Sequence, residues 1–164
     1  MFGKNHRRRP DLIKTASPAN NPNAAVSTER VLSAIPRKVF AVIEQPDRLA
    51  QWWGPNGFTN TVEQFEFKPG GRWVFVMHGP NGANYLNESV FREIQPDTKI
   101  VIEHVVNPWY GLTVTLTAHG DQTHLAWVQG FESTEVAARM RPLSETANEQ
   151  VFDRLPSLLA SESL

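Results

Sequence analysis

The chain has 164 residues, with 16 Lys and Arg against 17 Asp and Glu, so its net charge of −1 gives no whole-protein field to recruit nucleic acid or anionic lipid. Cysteine is absent, which excludes a disulfide framework, thiolate metal sites and a cysteine nucleophile, and suits a reducing cytoplasm, where the chain is expected to stay. No apolar run approaches the ~18 to 20 residues of a membrane span, and the first residues lack the apolar segment of a signal peptide.

Residues 1–25 carry Lys4, Arg7, Arg8, Arg9 and Lys14, followed by a stretch rich in Pro, Asn and Ala. Too few large apolar groups are present to offset the entropy of ordering this segment, so it is expected to be a disordered or loosely attached basic tail, with residues 26–164 forming one domain. "AVSTERVLSAI" is apolar and β-branched enough for a strand, and Pro36 then suits the first position of a helix with Val39, Phe40, Val42 and Ile43 on its apolar face. Pro46 and Asp47 restart a second short helix that runs through Leu49, Trp52 and Trp53 and stops at Gly54.

Beyond Gly57 the apolar period shifts to that of strands. Residues 59–67, 72–78, 85–95, 99–106, 110–118 and 122–131 read as six strands. "KPGG" fits a turn with Gly70 at the position of positive φ, and Asn81-Gly82 is a hairpin signal. Short turns between successive strands predict an antiparallel meander. Residues 133–160 place Val136, Met140, Leu143, Ala147, Val151, Leu155 and Leu158 at helical spacing, one long amphipathic helix. Pro142 and Pro156 lie inside it and predict a break near Arg141 and a kinked or frayed end after Leu155. The order strand, two helices, six strands, long helix predicts an α+β helix-grip: a curved antiparallel sheet wrapped around the C-terminal helix.

The stretches "RVLSAIPRKVFAVIEQPDRLAQWWGPNGFT", "FEFKPGGRWVFVMHGPNGANY" and "NEQVFDRL" resemble the domain named after the C-terminal half of the activator of the heat-shock-protein-90 ATPase, within the START-like (SRPBCC, Bet v 1-like) superfamily. The resemblance covers about residues 26–160. It implies a cavity between sheet and helix, of the kind that binds lipids, hormones or polyketides in this superfamily, where some members are cyclases or aromatases. Co-chaperone activity in this family belongs to eukaryotic proteins that carry an additional N-terminal domain.

Strand parity nominates the polar candidates. In "IVIEHVV", Ile100, Ile102 and His104 share a face; His104 is read as an acid, base or ligand anchor in an apolar cavity, or as a structural histidine bonded to a neighbour. Glu88 shares parity with Val90 and Ile94 and points inward or outward. Leu125, Trp127 and Gln129 share the helix-facing side, and Gln129 there needs a partner that Asn148 can supply, as a bridge or as part of ligand recognition. The histidines show no HExxH or two-His-plus-carboxylate spacing and no GxSxG elbow exists, so neither a metal site nor a cofactor is expected.

These residues together predict noncatalytic binding of a small hydrophobic molecule, with walls from Trp53, Phe58, Phe65 and Phe75, together with Met77, Trp127 and Phe152, and with Glu88, His104, Gln129 and Asn148 as polar anchors. Two other readings stay open. One is a cyclase- or hydrolase-like enzyme using His104 with Glu88 or Asn148. The other is a protein-interaction or co-chaperone-like module in which Trp52 and Trp109 contact a partner or build a homodimer. Adjacent helical side chains diverge by about 100°, which assigns Trp53 to the cavity side and Trp52 to packing or a partner, unless both are core residues on either side of the loop.

Overall fold

Proline and glycine set most element boundaries in the computed structural model, which describes residues 21–161. Of the tail expected over residues 1–25, positions 1–20 lie outside the described residues, and Pro22–Ala24 form a single 3-10 turn leading into the first strand. Helix α1 (Pro36–Glu44) starts on its proline and buries Val39, Phe40, Val42 and Ile43. Helix α2 (Pro46–Trp52) has Asp47 in its first turn and buries Leu49 and Trp52. Gly54 then turns the chain at φ +94°, and a Cβ there would sit 2.8 Å from Met77 Cε. Glycine is therefore needed for the dihedral, whereas the Met77 methyl, at the end of a flexible side chain, could move aside from a Cβ.

Seven antiparallel strands follow one another as β1 (Ala25–Leu32), β2 (Thr59–Phe65), β3 (Arg72–His78), β4 (Asn84–Gln95), β5 (Lys99–His104), β6 (Tyr110–His119) and β7 (Gln122–Gly130). The expected turn at Lys68 to Gly71 closes through the Gly71 N–H donating to the Lys68 carbonyl at 2.8 Å, with Gly70 at φ +82°. The spatial order is β1-β7-β6-β5-β4-β3-β2. This corrects the expected curved sheet wrapped around the helix. β1 and β2 stand at opposite edges with no ladder between them, so the sheet is open, neither curled nor closed. The six-strand meander is present, and the first strand extends it beyond β7.

The C-terminal segment departs from expectation in two ways. Helix α3 (Thr134–Asp153) runs unbroken through Pro142, and the break falls at Arg154, after which helix α4 (Leu155–Ser161) carries Pro156 in its first turn. Pro142 and Ala138, whose carbonyl the proline leaves without its donor, are both exposed, so water can serve that carbonyl and the helix continues. The buried face of α3 is also rotated about one position from the predicted stripe. Ala137, Ser144, Asn148, Val151 and Phe152 are buried, whereas Leu143 is 67% exposed.

The core between helices and sheet is built on aromatic rings. Trp53 meets Trp73 edge to face at 4.7 Å, Trp73 stacks on Phe75 at 4.3 Å, and Trp127 meets Phe152 at 5.3 Å. On the other face of the sheet the buried Glu103 accepts from Arg92 Nε at 2.7 Å and from Trp109 Nε1 at 3.0 Å. No helix among the described residues is long and apolar enough to cross a membrane.

Candidate functional site

Where α3 leans over the sheet, a small, partly open pocket of about 190 Å³ remains between them. The loop after α2 roofs it with Trp53, Gly54 and Pro55, while Met77 of β3 and Trp127 of β7 form apolar wall. Polar lining comes from Asn87 of β4, Gln129 of β7, and Ser144 and Asn148 of α3. Tyr110 completes the sheet side, and Leu143 stands at the exposed rim. The volume lies below the ~300 to 1,000 Å³ of drug-sized sites, and at ~30 Å³ per water it would hold about six waters. Any occupant would be small.

The roof is fixed from several directions. Asn60 Nδ2 donates to the carbonyls of Ala50 at 3.0 Å and Trp53 at 2.8 Å, satisfying the C-terminal end of α2. From the break between α3 and α4, Arg154 donates to the carbonyls of Gln51, Trp53 and Gly54 at 2.8, 3.2 and 2.9 Å. Gln150 Oε1 accepts the Asn56 N–H at 3.1 Å. Partial burial lowers the Arg154 pKa, yet guanidinium remains the charged form throughout the biological range.

Among the nominated residues, Trp53, Met77, Trp127, Gln129 and Asn148 all line this pocket. The amide bridge expected from parity is present, with Asn148 Nδ2 donating to Gln129 Oε1 at 2.8 Å and to Thr28 Oγ1 at 3.2 Å. Phe65, Phe75 and Phe152 belong to the surrounding aromatic core, and Phe58 sits behind Gly54, near Tyr85. Trp52 is 1% exposed and donates its indole N–H to the Val42 carbonyl at 3.0 Å. Trp109 is buried as well, so neither tryptophan nominated for partner contact offers a free surface.

His104 lies one layer behind the wall. Its ring stacks on Tyr110 at 4.5 Å, Nδ1 meets the Pro108 carbonyl at 2.7 Å, and Nε2 meets the Asn87 amide at 2.9 Å. Burial holds the imidazole below its usual pKa, against the pull of the Pro108 and Val106 carbonyls. Burial also lifts the Tyr110 phenol to about 12. Glu88 is on the other face of the sheet, paired with Arg72. His104 and Glu88 therefore do not meet. Among the described residues no group of three or more His, Cys, Asp or Glu could hold a metal ion.

Sequence reasoning did not nominate Asn87, Tyr110, Ser144 or Arg154. For Asn87 the obstacle was a bulge. The β4–β5 register shifts between Phe91 and Glu93, which places Phe91 and Ile94 on the same side and inverts the parity inferred for Glu88 from Ile94. Ser144 and Asn148, four residues apart, did carry a signal: two polar residues on the face of a helix that must pack on a sheet.

Comparison with known proteins places this geometry. Residues 33–160 match the family model described as Activator of Hsp90 ATPase homolog 1-like protein. No curated protein matches the chain. Among solved structures, it resembles a protein from Arthrobacter aurescens at TM-score 0.79 and 22% identity, covering 87% of this chain and 89% of that one. A protein from Nitrosomonas europaea aligns at TM-score 0.80 and 16% identity, over 87% and 98% of the two chains. The protein from Silicibacter pomeroyi named AHSA1 aligns at 0.68 and 20%, over 85% and 100%. At these identities the structural likeness speaks for the fold.

Proposed function

The chain belongs to the Activator of Hsp90 ATPase homolog 1-like family, within the START-like superfamily, and we propose that it binds a small, largely apolar molecule between sheet and α3 without transforming it. The observation that carries this reading is the pairing of an indole-walled pocket with a few converging polar side chains, which is the usual composition of a ligand site. Residues buried at the polar end, Gln129 and Asn148, occupy positions where apolar groups would pack a sheet to a helix more cheaply. Both His104 ring nitrogens have partners, and the ring stands behind Asn87 and Tyr110, which favours a supporting role over acid–base chemistry.

Native mass spectrometry of protein purified from its own host tests this directly. A retained small molecule whose binding perturbs the indole N–H resonances of Trp53 and Trp127 is the expected result. Protein that comes off bare, and whose indole resonances stay fixed across a small-molecule library, would overturn the reading.

A further inference from the structure

The binding reading leaves open which chemistry the occupant carries, and the polar end of the pocket restricts it. Asn148 Nδ2 and Gln129 Oε1 are spent on each other and on Thr28. Gln129 Nε2 and Asn148 Oδ1 have no hydrogen-bond partner among the described residues. Neither is among the fully buried side-chain N and O atoms without partners, which are Asn60 Oδ1, Trp73 Nε1 and Trp127 Nε1. Both residues line the pocket, so the two amides offer its interior one free donor and one free acceptor. Turning both amides over together exchanges their roles, and again leaves one donor and one acceptor. The buried Ser144 hydroxyl, also in the lining, adds a group that can do either.

Charge is the second restriction. No Asp, Glu, Lys, Arg or His lines the pocket, and its one ionisable group, the Tyr110 phenol, is neutral at physiological pH. An ionic head placed there would give up hydration without a counter-charge.

Resting on the binding function proposed above, we infer that the pocket selects an uncharged ligand whose polar edge carries a donor and an acceptor side by side, an amide-type edge, joined to a flat apolar body lying against Trp53 and Trp127. A site built to satisfy both kinds of hydrogen bond discriminates against analogues that lack one, because its own amide is then left unpaired.

Four near-isosteric probes at pH 7 separate the possibilities: benzamide, acetophenone, benzoate and benzamidinium, titrated into isotopically labelled protein. Benzamide is expected to bind about tenfold more tightly than each of the others. It should move the side-chain amide resonances of Gln129 and Asn148 together with the Trp53 and Trp127 indoles. In the double variant Gln129→Leu/Asn148→Leu the preference should disappear or reverse toward acetophenone. Should that variant fail to fold, the wild-type order and the amide shifts decide alone. Equal binding of all four, or tightest binding by acetophenone or a charged probe, overturns the amide-edge inference while leaving the binding function standing. No indole shift with any probe up to its solubility counts against both.

Discussion

The Arg154 guanidinium donates to the carbonyl oxygen of Trp53 at 3.2 Å while the indole of Trp53 lines the pocket, so the break in the C-terminal helix holds the tryptophan that walls the site. The same guanidinium reaches Gln51 and Gly54. Charge-assisted bonds of this kind contribute roughly 1.5 to 3 kcal/mol each when buried, and less where water competes. Arg154→Ala is expected to lower stability by about 2 kcal/mol in urea denaturation, and to broaden the Trp53 indole resonance. Arg154→Lys should recover less than half, since one ammonium cannot fork across three carbonyls. Unchanged stability in Arg154→Ala would remove the clamp.

Trp52, Trp73 and Trp127 are all buried, yet only the first has an acceptor for its indole N–H. Replacement by Phe removes similar volume at each position. Trp52→Phe is therefore expected to cost about 1 to 2 kcal/mol more than Trp73→Phe or Trp127→Phe, because it alone loses a hydrogen bond and orphans the Val42 carbonyl. Parallel thermal unfolding of the three variants measures the difference.

The amide bridge makes a double-mutant cycle informative. Asn148→Leu leaves both Gln129 Oε1 and Thr28 Oγ1 without their donor and is expected to cost about 1 to 3 kcal/mol. Adding Gln129→Leu removes one of the stranded groups. The double variant should thus be no less stable than the single one, a coupling of at least ~0.5 kcal/mol. Strictly additive losses would show that the two side chains do not depend on one another.

His104 gives the fold a pH dependence with a definite sign. Its native pKa is held below 6.5 by burial, so the unfolded chain takes up a proton at a pH where the native ring refuses one. Stability from this group is complete above pH ~6.5, and is lost as pH falls from there toward the native pKa. Wild type should lose more stability between pH 7 and 5 than His104→Gln, measured as the difference in urea midpoints. A neutral ring also has one N–H for two oxygen neighbours, Pro108 O and Asn87 Oδ1. Nitrogen-15 NMR is expected to find the Nδ1–H tautomer, bonded to Pro108; turning the Asn87 amide to present Nδ2 to the other nitrogen would give up its bond to the Tyr85 carbonyl.

Turn chemistry made most of the architecture legible. Gly70 and Asn81-Gly82 bracket β3, and Arg72–His78 is the strand expected between them. The bridge from Gln129 to Asn148 followed from alternation on an unbroken strand. Alternation failed on β4, because the extra residue at the Phe91 to Glu93 shift exchanges the two faces and nothing in the residue types marks it. The break expected near Arg141 is absent for a different reason, whereas the kink expected after Leu155 falls one residue earlier, at Arg154. A proline's cost depends on whether water reaches the carbonyl it frees, and that exposure is a tertiary property. Arg154 was invisible because its three acceptors are backbone carbonyls, which every residue has. Sheet curvature went beyond the pattern as well: element order does not specify whether two edge strands will meet.

The register of β1 also has a consequence in time. Ala25 pairs with Gly130 and Leu32 with Thr123, and β1 has no other neighbour in the sheet. β1 is thus made before the other six strands and cannot find its ladder until β7 has been made. Val26 and Leu32, both buried in the finished fold, cannot be fully covered until then. Docking of β1 onto β7 is the longest-range strand pairing of the sheet, and it completes the edge where Arg30 reaches Glu149 and Asp153 of α3.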